Sequence, residues 1–422
     1  MTETKYSGIA SIGEIPEHWK TYRIKSLLSL RSEKNSGDRD LLSVYLDRGV
    51  ISYNDSDGMQ VHKPSADLSN YQNVHVGDFV LNNQQAWRGS VGVSKYDGII
   101  SPAYFVFSLN DKCDPDYMNF LLRDGSMVQQ YETASRGVGT IQRNLYALWF
   151  YESLVALPPK DEQKAIAAFL GAKCAEIDAL VADIQAQIDT LEQYKRSIIT
   201  KTVTKGLNPN AEMKDSGIEW VGEIPAHWPV HPVYSYYGER KNKNRLGKED
   251  NLLSLSYGRV IRKDINTNDG LLPESFNTYN IVEAGDIIIR PTDLQNDKRS
   301  LRTGLVREHG IITSAYIDLC PFKRVDSRYF HFLLHAYDVM KVFYNMGNGV
   351  RQGLNYSEFS RLMVFEPPYE EQVAMADYLE TKVTEVDAII EQKKEQMAVL
   401  DAYKRSLIFE YVTGKKEVPC ND

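Results

Sequence analysis

The chain repeats itself over its whole length with a period near 209 residues, and this duplication limits the possible folds more than any local pattern does. Gly13 to Trp19 (GEIPEHW) returns as Gly222 to Trp228 (GEIPAHW), and Lys5, Ser7, Gly8 and Ile9 return as Lys214, Ser216, Gly217 and Ile218. Pro158 to Gln163 (PPKDEQ) returns as Pro367 to Gln372 (PPYEEQ), Glu176 to Leu180 as Glu385 to Ile389, and Tyr194 to Ser197 as Tyr403 to Ser406. Two such copies consume almost all of the 422 residues. A period this long marks a duplicated domain, whereas solenoid repeats run about 20–50 residues. This length allows two or three domains, and the duplication favours two.

Between the well-kept stretches lie diverged blocks in which only a skeleton persists. Gly77-Asp78 matches Gly285-Asp286, Gly98-Ile99-Ile100 matches Gly310-Ile311-Ile312, Ala103-Tyr104 matches Ala315-Tyr316, and Phe120 to Leu122 matches Phe332 to Leu334. The blocks read as mixed α/β. Short β-rich runs (Asp78 to Leu81, Ala103 to Leu109, Asp286 to Arg290) alternate with Gly, Asn and Asp turns, and helices are expected around Tyr117 to Arg123 and Tyr329 to His335. Strand order is not legible.

After each Pro-Pro pair, acidic residues (Asp161-Glu162, Glu370-Glu371) suit a helix N-terminus. No proline follows until beyond Gly206 and Gly414, so each arm is expected to be one helix of about 45 residues, on the order of 65 Å long. Its apolar stripe is heptad-like: Leu170, Cys174, Ile177, Val181, Ile184, Ile188, Leu191 and Ile198, with Lys195 filling one step. The second stripe has the same register: Leu379, Val383, Val386, Ile390, Lys393, Met397, Leu400, Lys404 and Leu407. A period of 3.5 sustained this long signals a coiled coil, and two matching stripes in one chain are natural partners. Related by a pseudo-two-fold axis, the helices run antiparallel. The expected fold is thus α/β (α+β): two similar globular domains, 1–158 and 207–367, separated by long helices at 159–206 and 368–422 that form an intramolecular coiled coil.

Composition excludes several classes. No apolar run approaches the roughly 20 residues that cross a bilayer, and no charged start followed by an apolar block is present, so a cytoplasmic location is expected. Cys113, Cys174, Cys320 and Cys420 show no CxxC spacing and the eight histidines form no HExxH pair, so neither disulfides nor a metal site is expected. The net charge is −8, yet residues 20–157 carry 14 Lys+Arg against 15 Asp+Glu and residues 229–366 carry 19 against 16. The acidity lies outside these blocks, and phosphate contact needs only a local basic face.

Catalytic motifs are missing as well. There is no GxxxxGK[ST] loop and no GxG strand–turn–helix suited to a nucleotide or a methyl donor. Glu366-Pro367-Pro368-Tyr369 resembles an amino-methyltransferase loop, but it lacks Asn or Asp at the first position, and its repeat partner Leu157 to Lys160 has lost both ends. Glu162-Gln163-Lys164 could be forced into half of a nuclease site, but its counterpart Glu371-Gln372-Val373 lacks the lysine. Helix entry explains the first motif, and helix-start carboxylates the second.

The duplication, GEIPEHW and GEIPAHW at the start of each half, and PPKDEQKAIAAFL and PPYEEQVAMADYL at the start of each helix resemble the specificity subunits of Type I restriction–modification systems. The resemblance implies two target-recognition domains, each reading half of a bipartite asymmetric DNA site, with the helices setting the spacing. It implies no catalysis and no cofactor on this chain. Partners would be double-stranded DNA, two adenine-N6 methyltransferase subunits and restriction/translocase subunits, which would hold S-adenosylmethionine, ATP and Mg. The alternative is a coiled-coil scaffold without sequence readout.

Candidate DNA contacts follow from polar, cationic loop runs, because arginine pairs with guanine and Asn or Gln with adenine in the major groove. In the first domain they are Asn82, Asn83, Gln84, Gln85, Trp87 and Arg88, then Arg136, Gln142, Arg143 and Asn144. In the second they are Arg290, Gln295, Asn296, Lys298, Arg299 and Arg302, then Asn348, Arg351, Gln352 and Asn355. The expected helix-pairing residues are Leu170, Ile177, Val181, Ile184, Ile188, Leu191, Leu379, Val383, Val386, Ile390, Met397 and Leu400.

Overall fold

The computed structural model describes residues 3–35, 37–56, 64–65, 67–138, 142–266, 275–292, 301–342 and 353–419. It divides into two compact units, Met1–Ile184 with Glu395–Asp422, and Gln185–Lys394. Each unit thus holds a head, the start of the helix that leaves it, and the end of the other long helix.

The first head is built on a four-stranded antiparallel sheet in the order Leu28–Arg31, Tyr104–Leu109, Phe79–Asn82, Val91–Val93. Helices Pro115–Arg123 and Gly125–Thr133 and the short helix Ala147–Glu152 follow it in the chain. The second head has the same sheet order, Tyr237–Glu239, Ile317–Pro321, Ile287–Ile289, Thr303–Leu305, followed by helices Ser327–Val339 and Tyr356–Phe359. Smaller antiparallel pairs also recur, such as Gln72–Val74 with Gly98–Ile100 and Asn280–Val282 with Gly310–Ile312. The kept Gly98 and Gly310 have a steric reason: a Cβ there would lie 2.5 Å from the carbonyl oxygen of Asp40 or of Asn251. Only glycine permits that approach.

The expected long helices are Lys160–Lys205 and Tyr369–Val412. In the first unit Leu170, Cys174 and Ile177 are buried, Val181 packs beside them, and Leu400, Leu407, Tyr411 and Val412 of the other helix join the same core. Phe169 meets Tyr411 at 4.7 Å between ring centroids, and Asp178 binds Lys404 at 2.6 Å, so the segments run antiparallel. In the second unit Ile188, Leu379, Val386 and Ile390 are buried, and Val383 is half-buried against the core. Gln187 accepts from Lys393 there, and Lys195 binds Asp387 at 2.8 Å, again antiparallel. Ile184, Leu191 and Met397 are half-buried. These are the two similar mixed α/β domains joined by long coiled-coil helices that the sequence implied.

The heptad register fails at one place. Ile198 is only half-buried, whereas Ile199 and Val203 are buried in the core of the second head. A straight helix drifts by about 20° per heptad, and here the apolar stripe enters the core of the second head, which also holds Trp228 and Tyr329.

Candidate nucleic-acid interface

The best-kept motifs build the joint between head and helix. Trp19 and Trp228 are fully buried, and each donates its Nε1–H to the carboxylate three residues into the helical arm, Glu162 or Glu371, at 3.0 Å. His18 and His227 bind the same carboxylates at 2.8 and 2.7 Å. The following glutamine completes the joint. Gln163 Oε1 accepts from the Asp114 amide at 2.8 Å and Gln372 Oε1 from the Asp326 amide at 2.9 Å. Asp114 and Asp326 themselves cap the first helix of each head. At the far end of each long helix, Tyr117 donates its hydroxyl to the Val412 carbonyl and Tyr329 to that of Val203. Gly206 and Gly414 then adopt φ of +74° and +70° against Trp228 and Trp19, as left-handed helix stops favour.

This joint absorbs both decoy motifs. Glu162 is occupied by His18 and Trp19. Glu366 accepts from the Tyr236 hydroxyl at 2.8 Å, and burial with this bond pushes that phenol above its ordinary range. Tyr369 opens the second long helix under Arg324. No cluster of His, Cys, Asp or Glu among the described residues could hold a metal ion, and no described helix is long and apolar enough to cross a membrane.

The diverged loops gather elsewhere on each head. In the first, Asn82 Oδ1 accepts from the Gln84 amide at 3.0 Å and tightens the loop leaving strand Phe79–Asn82. Asn83 then ties that loop to the hairpin Ser135–Val138/Gln142–Leu145: its carbonyl and its side chain both accept from the Leu145 amide at 3.1 Å. Trp87 donates Nε1–H to the Gln84 carbonyl, and the Arg143 guanidinium lies 4.8 Å over the Trp87 ring while binding Glu132 at 2.9 Å. Arg136 lies 4.1 Å over Trp149. Two runs about 50 residues apart in sequence therefore form one surface, on which Gln84, Arg88, Arg136 and Asn144 are exposed and Gln85 is half-buried. Gln142 lies in the hairpin.

Sequence reading missed three exposed neighbours, Tyr146, Leu148 and Trp149, at 51%, 79% and 41% exposure. The signal was present as an apolar run, Tyr146 to Phe150, in which only Phe150 is buried.

In the second head the same tie recurs, with the Leu354 amide donating to the Pro291 carbonyl at 3.0 Å. Arg290 is exposed. Arg302, however, is 5% exposed, and its guanidinium donates to the carbonyls of Arg290 and Thr292 while its amide donates to Asp338 at 2.7 Å. A side chain buried in this way cannot reach a phosphate or a base, so its role is to brace the loop. Asn355 has its side chain engaged in a capping box with Glu358. Gln295, Asn296, Lys298, Arg299, Asn348, Arg351 and Gln352 lie outside the described residues.

One group separates the heads. Asp318 occupies the place of Val106 in the same central strand of the sheet, is 1% exposed, and neither carboxylate oxygen has a hydrogen-bond partner. Burial, with Asp286 nearby, pushes its pKa up to about 8.

The two units thus share one architecture: a duplicated head on a common helical joint, with tied loops that differ between copies. Residues 16–190 match the Type I restriction modification DNA specificity domain. A protein of Methanocaldococcus jannaschii named as the type I restriction enzyme MjaX specificity subunit is 25% identical, with 96% of each chain covered. The MjaVIII specificity subunit of the same organism is 24% identical over 82% of this chain and 80% of its own. A chain solved in a study of complex assembly and conformational transition of the type I R-M system shares the fold, with a TM-score of 0.69 at 15% identity over 95% of this chain and 99% of its own. The matched family over residues 16–190 is the one that the repeated motifs resemble.

Proposed function

We propose that this chain is the DNA sequence-specificity subunit of a Type I restriction–modification complex. Each head reads one half of a bipartite, asymmetric target, and the long helices set the spacing and dock two methyltransferase subunits. The chain itself is non-catalytic. S-adenosylmethionine, ATP and Mg belong to the methyltransferase and restriction/translocase partners, and the complex acts in the cytoplasm. The observation that carries this reading is the contrast within each copy: an identical Trp–Glu–Gln joint beside loops that share a tie but not a sequence. Two different half-sites require different base-edge contacts on a common scaffold, since phosphate contacts alone carry no sequence information.

The test is reconstitution. The chain with cognate modification subunits should methylate one bipartite sequence, and the chain alone should turn over no S-adenosylmethionine. Binding by the complex with no sequence preference would leave a scaffold. Turnover by the isolated chain would make it an enzyme.

A further inference from the structure

The hairpin of the first head carries an ordered pair of polar side chains on its outer face. In the register of Ser135–Val138 against Gln142–Leu145, Arg136 stands opposite Asn144 and Gly137 opposite Arg143. Side chains alternate between the faces of a strand. Arg136 and Asn144 therefore share one face, and both are exposed. Arg143 lies on the other face, over Trp87 and bound to Glu132.

Arg136 is held without an ion pair among the described residues; its guanidinium lies 4.1 Å over the ring of Trp149. Stacking of this kind restrains the plane of a guanidinium while leaving its N–H edge available for a planar acceptor. A two-stranded ribbon fits the major groove, where arginine bonds O6 and N7 of guanine and asparagine bonds N7 and N6 of adenine. Directly opposed residues have Cβ atoms about 5 Å apart, and stacked bases follow one another at about 3.4 Å. Such a pair spans neighbouring base pairs.

Resting on the reading of this chain as a DNA-specificity subunit, we propose that Arg136 and Asn144 are the base readers of the first head. Arg136 takes a guanine and Asn144 an adenine in a neighbouring base pair. Trp149 is the shelf that positions Arg136, and Arg143 positions the hairpin from its inner face without reading a base.

The experiment uses the full chain reconstituted with its modification subunits, a duplex library randomised across the target, and sequencing of the methylated products. Arg136→Lys should cost about 10- to 100-fold in discrimination at one guanine of one half-site, and Asn144→Ala a similar factor at the adjoining adenine. Trp149→Ala should relax the same guanine in part, and Trp149→Phe should restore it. Arg143→Lys should lower methylation of all sequences alike. An unchanged Arg136→Lys profile, relaxation at a base other than guanine, or a shifted preference in Arg143→Lys overturns the assignment. If Arg136→Lys does not fold, Asn144→Ala decides it alone. A wild-type complex without any sequence preference removes the underlying function as well, so the two failures are distinguishable.

Discussion

The two heads are alike where they meet the helices and unlike in the middle of their sheets. Trp19 and Trp228 make the same bond across the same separation of 143 residues, to Glu162 and Glu371. Arg31 binds Asp78 at 3.0 Å as Arg240 binds Asp286 at 2.7 Å. Yet where the first head has Val106 in an apolar cluster with Val80 and Ile100, the second has the buried carboxyl of Asp318 beside Ile288. In the joint the Trp, Glu and Gln side chains are all engaged with one another or with backbone groups. The sheet interior of the second head instead holds a buried carboxyl with no hydrogen-bond partner.

The largest expected effect tests the sameness of the joint. Trp19→Ala and Trp228→Ala each remove a fully buried indole and leave one carboxylate oxygen without its donor. Each should cost about 3–5 kcal/mol, and the two losses should be equal within the error of a denaturant titration followed by hydrogen exchange in each head. A much smaller loss at one of them would show that the two joints are not equivalent.

The next effect sharpens the difference between the heads. A carboxyl whose folded pKa is about 8 against an ordinary value of 3.8 keeps its proton in the folded state over a pH range where the unfolded chain has released it. Unfolding then releases a proton, so stability falls as pH rises from about 4 to about 8, by up to about 1.4 kcal/mol per pH unit. Asp318 faces Asp286, Arg240 and Glu239, all within the second head. Asp318→Val should stabilise that head at pH 8 by about 1–4 kcal/mol and remove this slope. The first head, with Val106, should lack the slope in the wild type. Melting curves between pH 5 and 8 decide it, and an unchanged slope in Asp318→Val would refute the cause.

Much of the joint and of the coiled coil was legible because the chain prints it twice. The repeat marked GEIPxHW and PPxxEQ as kept stretches of each copy, and the heptad stripe showed which helix faces are buried. The partners were not legible, since a bond over 143 residues leaves no local periodicity. Loop chemistry misled in a specific way. Arg302 sits in a cationic run like any surface arginine, but its guanidinium turns inward to the Arg290 and Thr292 carbonyls. Asn83 and Asn355 are polar loop residues whose side chains serve backbone amides. Composition cannot separate an amide that caps a chain segment from one that could face a ligand.

A smaller comparison concerns the hydroxyls that close the long helices. Tyr117→Phe and Tyr329→Phe each remove one donor from a buried carbonyl, at 3.1 Å to Val412 and 3.3 Å to Val203. Each should cost about 1 kcal/mol, read as a change in denaturation midpoint. The shorter Tyr117 bond should cost the more.

The smallest effect concerns register. Lys195 pairs with Asp387 in the second unit and Lys404 with Asp178 in the first, and these are the same two positions exchanged between repeats. The pairs are partly exposed, so each should contribute below about 1 kcal/mol and less at high salt. A charged group in an apolar seam is better suited to fixing one alignment than to adding stability. Lys195→Leu with Lys404→Leu should therefore leave the midpoint nearly unchanged while allowing helix registers shifted by a heptad, visible as new cysteine cross-links between the two helices. Exchanging the charges, with Lys at 178 and 387 and Asp at 195 and 404, should restore a single cross-link pattern, because the attraction depends on sign pairing and not on which helix carries the cation. If the leucine variant keeps one register, apolar packing at Leu170, Ile177, Leu379 and Val386 is sufficient to align the helices, and the paired lysines are surface charges only.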